Sequence, residues 1–234
     1  MRQGPFVCVF ALFPDLTQLD FTGAWEVLTR IPGAEAIVAS VGGGPVRAQN
    51  GLVFGETRRL ADVERCDLVC APGGPGMAAA MLDEGFIAEL RRLAEGADYV
   101  TSVCTGSLLL GAAGLLQGKR AACHWASRQF LEAFGAIATD ERVTRDGRVI
   151  TGGGVTAGID FGLAVAAEVA GEEAAQYIQL AIEYAPAPPF NAGDPQTAPA
   201  HLLKRYLETT RSWTLERAET VARAAAALRD RAGR

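Results

Sequence analysis

Cys104 is the side chain best placed to act as a nucleophile. It stands in Thr101-Ser102-Val103-Cys104-Thr105-Gly106-Ser107. A short apolar stretch with β-branched residues precedes it, in the pattern of a buried strand, and the run Leu108 to Leu116 that follows has the pattern of a helix. A cysteine at such a strand-to-helix elbow lies near the first free N–H groups of the helix. Those donors and the helix dipole favour the thiolate, the form that attacks carbon, so the spacing predicts a lowered thiol pKa. The same position suits a small buried core residue, and the elbow alone leaves both alternatives open. Asp20, in Leu19-Asp20-Phe21-Thr22-Gly23, is either an acid aimed at a site or the cap of a helix starting there.

The elements that must position these groups alternate along the chain. Phe6 to Phe13 reads as a first core strand, Asp20 to Arg30 as a helix and Ala34 to Val41 as a second strand. Val46 to Phe54 reads as a hairpin turning at Asn50-Gly51. A buried strand, Asp67 to Ala71, ends in Pro72-Gly73-Gly74-Pro75-Gly76, and a helix over Gly85 to Ala97 leads into the Cys104 strand. Further strands are predicted at Ala136 to Thr139, Val143 to Thr144 and Val149 to Thr151, the last two turning at Asp146-Gly147. Helices follow from the Gly152-to-Asp160 segment to Ala170 and from Glu172 to Tyr184. This alternation predicts an α/β fold, a mostly parallel sheet covered by helices on both faces. Sites in such sheets gather at the carboxyl ends of the strands, where Asp15 to Gly23, Pro72 to Gly76 and Cys104 to Gly106 all fall.

Beyond Tyr184 the prolines of Tyr184 to Pro199 rule out a regular helix. We read this segment as an ordered arm crossing the body of the protein or a partner subunit. Ala200 to about Arg229 reads as one long helix with an apolar stripe at Leu202, Leu203, Tyr206 and Leu207, packing on the parent fold or across a dimer. The chain thus divides into a catalytic domain, 1–199, and a C-terminal helix, 200–234.

Composition narrows the function classes. The 234 residues are 49% hydrophobic and carry a net charge of -5. Without a basic run outside the last helix, nucleic acid is a poor partner. No apolar stretch is long and uninterrupted enough to span a membrane, and Pro14-Asp15 interrupts the early run that resembles a signal peptide. The five cysteines, Cys8, Cys66, Cys70, Cys104 and Cys123, are odd in number and irregularly spaced. That predicts free thiols in a reducing, cytoplasmic compartment. With only His124 and His201 to supplement them they make a poor zinc set, so no metal site is expected. The turn Gly152 to Gly158 is a weak dinucleotide signal, because no acid follows at the end of a next strand. It reads instead as close helix packing near the cysteine, with Val155 and Thr156 facing the pocket. No cofactor is expected.

Leu19-Asp20-Phe21-Thr22-Gly23, Ala71-Pro72-Gly73-Gly74, Ser102-Val103-Cys104-Thr105-Gly106, His124-Trp125 and Gly152 to Asp160 occur in the order seen in the ThiJ/PfpI-like superfamily, related to the class I glutamine amidotransferases. Over nearly the whole chain, to about Ala200, the sequence is similar to that superfamily's isocyanide-hydrating branch. The resemblance implies a flavodoxin-like sandwich, a homodimer, a cysteine on a strained elbow, and an acid, here Asp20, carried to the thiol with Thr105 close by. It implies hydration of an isocyanide by water to an N-substituted formamide, through a thioimidate on Cys104. Thiolate addition to R–N≡C places negative charge on carbon, so a proton donor beside the sulfur serves better than an oxyanion hole. Like charges oppose each other, so a carboxyl beside a thiolate is expected to have a raised pKa.

Within this resemblance His124, 20 residues after Cys104, is a neighbour of the thiol. A Cys–His hydrolase needs a third group to orient the imidazole, and the amidotransferase His-x-Glu is absent, since Leu202-Leu203 follows His201. We read His124 as a supporting residue rather than a general base. Gly73 and Gly74 permit close backbone approach to the pocket, while Pro75 lacks an N–H. The alternatives are another cofactor-free activity of the superfamily, such as glyoxalase, deglycase or amidase chemistry, or a ligand-sensing regulator domain. A regulator is expected to carry a further helix-turn-helix domain, for which about one helix after Pro199 leaves little room.

Overall fold

The computed structural model describes residues 4–233. Residues 1–3 and 234, the extremes of the two predicted segments, lie outside the described residues. The first strand, β1 (Phe6–Ala11), is wholly buried, as its unbroken apolar run requires. Helix α1 (Gln18–Leu28) and strand β2 (Ala34–Ser40) follow. The predicted hairpin forms as β3 (Val46–Arg47) and β4 (Val53–Phe54), antiparallel, with Gly51 in the left-handed region that the turn requires. A two-residue strand, β5 (Arg58–Arg59), precedes β6 (Leu68–Ala71). Helices α2 (Met77–Leu82) and α3 (Glu84–Gly96) then lead to β7 (Tyr99–Val103) and α4 (Gly106–Ala112). Short strands β8 (Arg120–Ala121) and β9 (Ile137–Ala138) flank a 3-10 helix, Arg128–Phe134. The chain continues through β10 (Val143–Asp146), β11 (Val149–Gly152), α5 (Ala157–Ala170), α6 (Glu172–Ala181), α7 (Ala200–Thr209) and α8 (Arg211–Ala232).

Seven strands form the central sheet in the order β10-β11-β7-β6-β1-β2-β5. All neighbours are parallel except β10, which turns back antiparallel on β11 at Gly147. Registers Phe10 with Cys70, Ala71 with Ser102 and Val103 with Gly152 bring the carboxyl ends of β1, β6, β7 and β11 side by side. On one face α1 packs closely on α5: a Cβ at Gly162 would lie 2.8 Å from Val27 Cβ. The protein is therefore a flavodoxin-like α/β sandwich with a long final helix.

Three expectations are corrected. Helix α4 ends at Ala112 rather than Leu116, because the chain turns left-handed at Gly114. The last segment is two helices, not one. The hydroxyls of Thr209 and Thr210 donate back to the carbonyls of Arg205 (2.9 Å) and Tyr206 (2.8 Å), and Thr210 leaves helical geometry. Such back-bonding competes with regular helix hydrogen bonds. The stripe on the first of these helices stays outside, with no residue of α7 buried. It is α8 that reaches the core, through Val221, Ala224 and Ala225. The Pro-rich arm runs exposed over the body, tethered by Tyr184 Oη donating to Asp160 (2.9 Å) and Gln196 Nε2 donating to Asp140 (3.1 Å).

Candidate active site

Cys104 directly follows β7 and adopts φ +60°, a conformation uncommon for any residue but glycine. Its N–H is held by the carbonyls of Gly152 (3.1 Å) and Gly153 (2.8 Å), at the end of β11. On the other side Gly106 lets the elbow press on β6: a Cβ there would lie 2.0 Å from the Ala71 carbonyl oxygen. Beneath the elbow, Ser107 Oγ donates to the Ala122 carbonyl (2.6 Å) and shares a hydrogen bond with Ser102 Oγ (2.8 Å). That buried pair ties the Cys123-His124 segment to the turn. The sequence reading passed over both serines; a polar residue at each end of an otherwise apolar turn was the available signal.

Asp20 is fully buried. It lies in the first turn of α1, whose N-cap position is Thr17, so the capping alternative does not hold. Its Oδ2 accepts the Gly73 N–H (3.0 Å), while Oδ1 accepts no hydrogen bond. Thr105 Oγ1 accepts the Gly74 N–H at 3.0 Å. A Cβ at Gly73 would lie 2.5 Å from Thr105 Oγ1 and 2.8 Å from Asp20 Oδ2, so only glycine admits both side chains. These two loop N–H groups are thus committed to Asp20 and Thr105.

Burial pushes the Asp20 carboxyl up to about 7, against the opposing pull of the neighbouring Cys104 thiol and of the Gly73 N–H. The cause differs from the one expected: desolvation, not a neighbouring thiolate, raises the carboxyl, and Cys104 pulls it down. The cysteine expectation reverses in sign. Burial first, then the Asp20 charge and Cys123, raise the Cys104 thiol well above its ordinary value, and the Thr105 N–H only partly offsets them. Helix α4, of seven residues, does not overcome the loss of water. The resting pair is therefore a thiol beside a carboxyl poised near neutrality.

The remaining predicted residues scatter. His124 is half-buried, and its Nδ1 accepts the Ala126 N–H (3.2 Å), which assigns the ring proton to Nε2. Burial and the Arg217 charge lower its pKa, keeping it neutral at physiological pH. Among the described residues no carboxylate hydrogen-bonds its ring. Val155 packs partly buried against the core. Thr156 does not face the pocket: it is exposed, and its hydroxyl accepts from Arg142 Nη2 (3.2 Å), because α5 starts one residue later with its outer edge toward β10. No cluster of three or more His, Cys, Asp or Glu side chains suited to a metal ion occurs among the described residues. No helix among them is long and apolar enough to cross a membrane.

The DJ-1/PfpI family model matches residues 7–168. The chain is 47% identical over 219 residues to an isonitrile hydratase of Pseudomonas putida, covering 94% of this chain and 96% of that protein. The crystal structure of a ThiJ/PfpI family protein from Pseudomonas syringae superposes with a TM-score of 0.90 at 39% identity, covering 93% of this chain and 91% of the other. The HTH-type transcriptional regulator CdhR of Pseudomonas aeruginosa is 32% identical over 173 residues, which span 71% of this chain and 51% of the regulator.

Proposed function

The chain belongs to the DJ-1/PfpI family, and from that premise we propose that it hydrates isocyanides to N-substituted formamides, with Cys104 as nucleophile and Asp20 as the proton carrier. Similarity to an isonitrile hydratase over 94% of the chain carries the reaction class. A buried carboxyl titrating near 7 beside an elbow thiol supports the roles.

The Asp20 carboxylate accepts the thiol proton as Cys104 Sγ bonds the terminal carbon of R–N≡C. Asp20 then returns that proton to the same carbon, giving the thioimidate R–N=CH–S–Cys104. A water molecule adds to this carbon; Asp20, again a base, takes one of its protons and passes it to the imine nitrogen, leaving the hydroxyl proton to go to the sulfur when the intermediate collapses. The carbon–sulfur bond breaks, the sulfur regains a proton, and R–NH–CHO leaves. Asp20 is suited to both halves because a group titrating near the working pH gives and takes protons with little penalty either way. Its Oδ1, without a partner, is the oxygen free to face thiol, substrate and water in turn. Thr105 supports the carboxyl through the shared Gly73-Gly74 turn, and its hydroxyl hydrogen remains for the incoming water. The pathway calls on no cofactor.

The same proposal includes a catalytic unit over 1–199 with the 200–234 segment packed on it, a homodimer, a cytoplasmic location, and neither nucleic acid nor a membrane as partner. The direct test incubates the protein with phenyl and ethyl isocyanide and follows the formamides by mass. Formation of both, lost on Cys104→Ala, is expected; absence of formamide from the wild-type protein would sink the proposal. Light scattering at micromolar concentration checks the dimer, and a monomer mass would remove that part alone.

A further inference from the structure

Two aromatic side chains beside the site take no part in the bond-making and proton-transfer steps above. Trp125 stacks on His124, with ring centres 5.8 Å apart and planes at 28°, and Tyr206 of α7 packs on Trp125 at 4.9 Å. The row begins at the elbow: a Cβ at Gly154 would lie 3.4 Å from His124 Cδ2, and the preceding Gly152 and Gly153 hold the Cys104 N–H. It ends in solvent, where Tyr206 is 38% exposed. Tyr206 lies within electrostatic reach of the thiol, since Cys104 is among the groups that hold its hydroxyl above the ordinary value, after burial and against Arg217. Arg217 Nη1 pins α8 by donating to Ser127 Oγ at 2.7 Å, under a fully buried serine. Tyr206 thus comes from the α7–α8 pair, beyond residue 168 where the family model ends.

An isocyanide is linear at its N≡C group. When its terminal carbon meets Cys104 Sγ, the R group must project away from the sulfur. We propose that Trp125 and Tyr206 form an aromatic wall that reads this R group, so that aryl isocyanides are preferred to small alkyl ones. The inference rests on the hydration reading and deepens it by naming the substrate class. A flat ring gains from stacking or edge contact with such a wall, whereas an ethyl group offers it little area.

The test compares kcat and KM for phenyl and ethyl isocyanide in the wild-type protein, Tyr206→Ala, Tyr206→Phe and Leu207→Ala. The wild-type protein is expected to favour the phenyl compound, and Tyr206→Ala to lower the phenyl-to-ethyl ratio of kcat/KM about tenfold, mainly through a raised KM for the phenyl compound. Tyr206→Phe should preserve the ratio, because it keeps the ring. Leu207→Ala, exposed on the same helix, controls for loosening of α7 and should leave the ratio alone. An unchanged ratio in Tyr206→Ala, or an equal loss on both substrates, overturns the wall while leaving hydration standing. A wild-type protein that converts neither compound overturns hydration and the wall together. If Tyr206→Ala fails to fold, as judged by circular dichroism, Tyr206→Leu is held to the same ratio criterion.

Discussion

The floor of the site and the helix at its mouth are built on opposite terms. On the floor, Asp20 is fully buried, Cys104 and Thr105 are 5% exposed, and the Gly73 and Gly74 N–H groups are both committed. At the mouth, α7 buries no residue and leaves Leu202 and Leu207 43% and 52% exposed. Burial on the floor moves two pKa values by desolvation, and a carboxyl poised near 7 does not arise without it. At the mouth the Tyr206 hydroxyl is shifted upward, which keeps it protonated and out of the proton chemistry, and the aromatic contacts there tolerate water. Substitutions on the floor should therefore act on the chemical step and its pH dependence, and those at the mouth on the choice of substrate.

Cys104→Ala tests the floor most severely. It removes the proposed nucleophile without adding volume, so turnover should vanish while the circular dichroism spectrum and melting temperature stay close to wild type. Residual formamide above the uncatalysed rate would show that sulfur is not the attacking atom.

Asp20→Asn follows. Asparagine can still accept the Gly73 N–H but cannot carry the proton, so turnover should fall at least ~100-fold. In the wild-type protein kcat/KM should rise as pH passes through about 7, because the carboxylate that takes the thiol proton exists only above that point. The variant should lack this limb. The thiol should respond in the opposite direction. Removing the Asp20 charge takes away one cause of its raised pKa, so iodoacetamide should label Cys104 faster in Asp20→Asn at pH 8. Slower labelling in the variant would mean that Asp20 activates the thiol in the resting protein rather than restraining it.

Most of the scaffold was legible because it rests on local pattern. The apolar runs at Phe6, Leu68 and Val100 announce strands that a parallel sheet buries on both faces, and Gly51 and Gly147 mark turns that need a left-handed residue. What escaped depends on distant partners. The two-residue strands β5 and β8 are too short to leave a period in the sequence. The break at Thr210 turns on hydroxyls bonding back to the helix, and the outward turn of Thr156 on Arg142, just before β10. At the site, the elbow and the Cys-Thr-Gly and Leu-Asp-Phe-Thr-Gly segments were visible as motifs. The direction of the thiol shift was not, because it is decided by how completely α1 carries Asp20 and the surrounding core out of water.

The pH dependence of stability tests the floor without reference to substrate. Asp20 titrates near 7 in the folded protein, well above its ordinary value of 3.8. Between those two values the unfolded chain has released a proton that the folded one retains, so this group makes stability fall as pH rises through that interval; above about 7 the loss is constant. Asp20→Asn should therefore gain on wild type in chemical denaturation as pH is raised from 4 to 7, and then hold its advantage. A constant difference between the two proteins over that range would show that the carboxyl is hydrated in solution and ionises as an ordinary aspartate.

The smallest effect is expected where floor and mouth meet, at His124. Its Nδ1 is occupied by the Ala126 N–H, burial and Arg217 keep the ring neutral, and no carboxylate among the described residues orients it. A general base paired with a cysteine normally has such an orienting partner. His124→Ala should thus lower kcat less than about tenfold, well short of the usual general-base contribution. It should also leave the rise through pH 7 in place, because that limb belongs to Asp20. What it does remove is the ring on which Trp125 stacks, so the measurable change should be a modest rise in KM for phenyl isocyanide with little change for the ethyl compound. The opposite ranking, an inactive His124→Ala beside a nearly active Asp20→Asn, would move the proton chemistry to the imidazole and describe a Cys–His hydrolase instead.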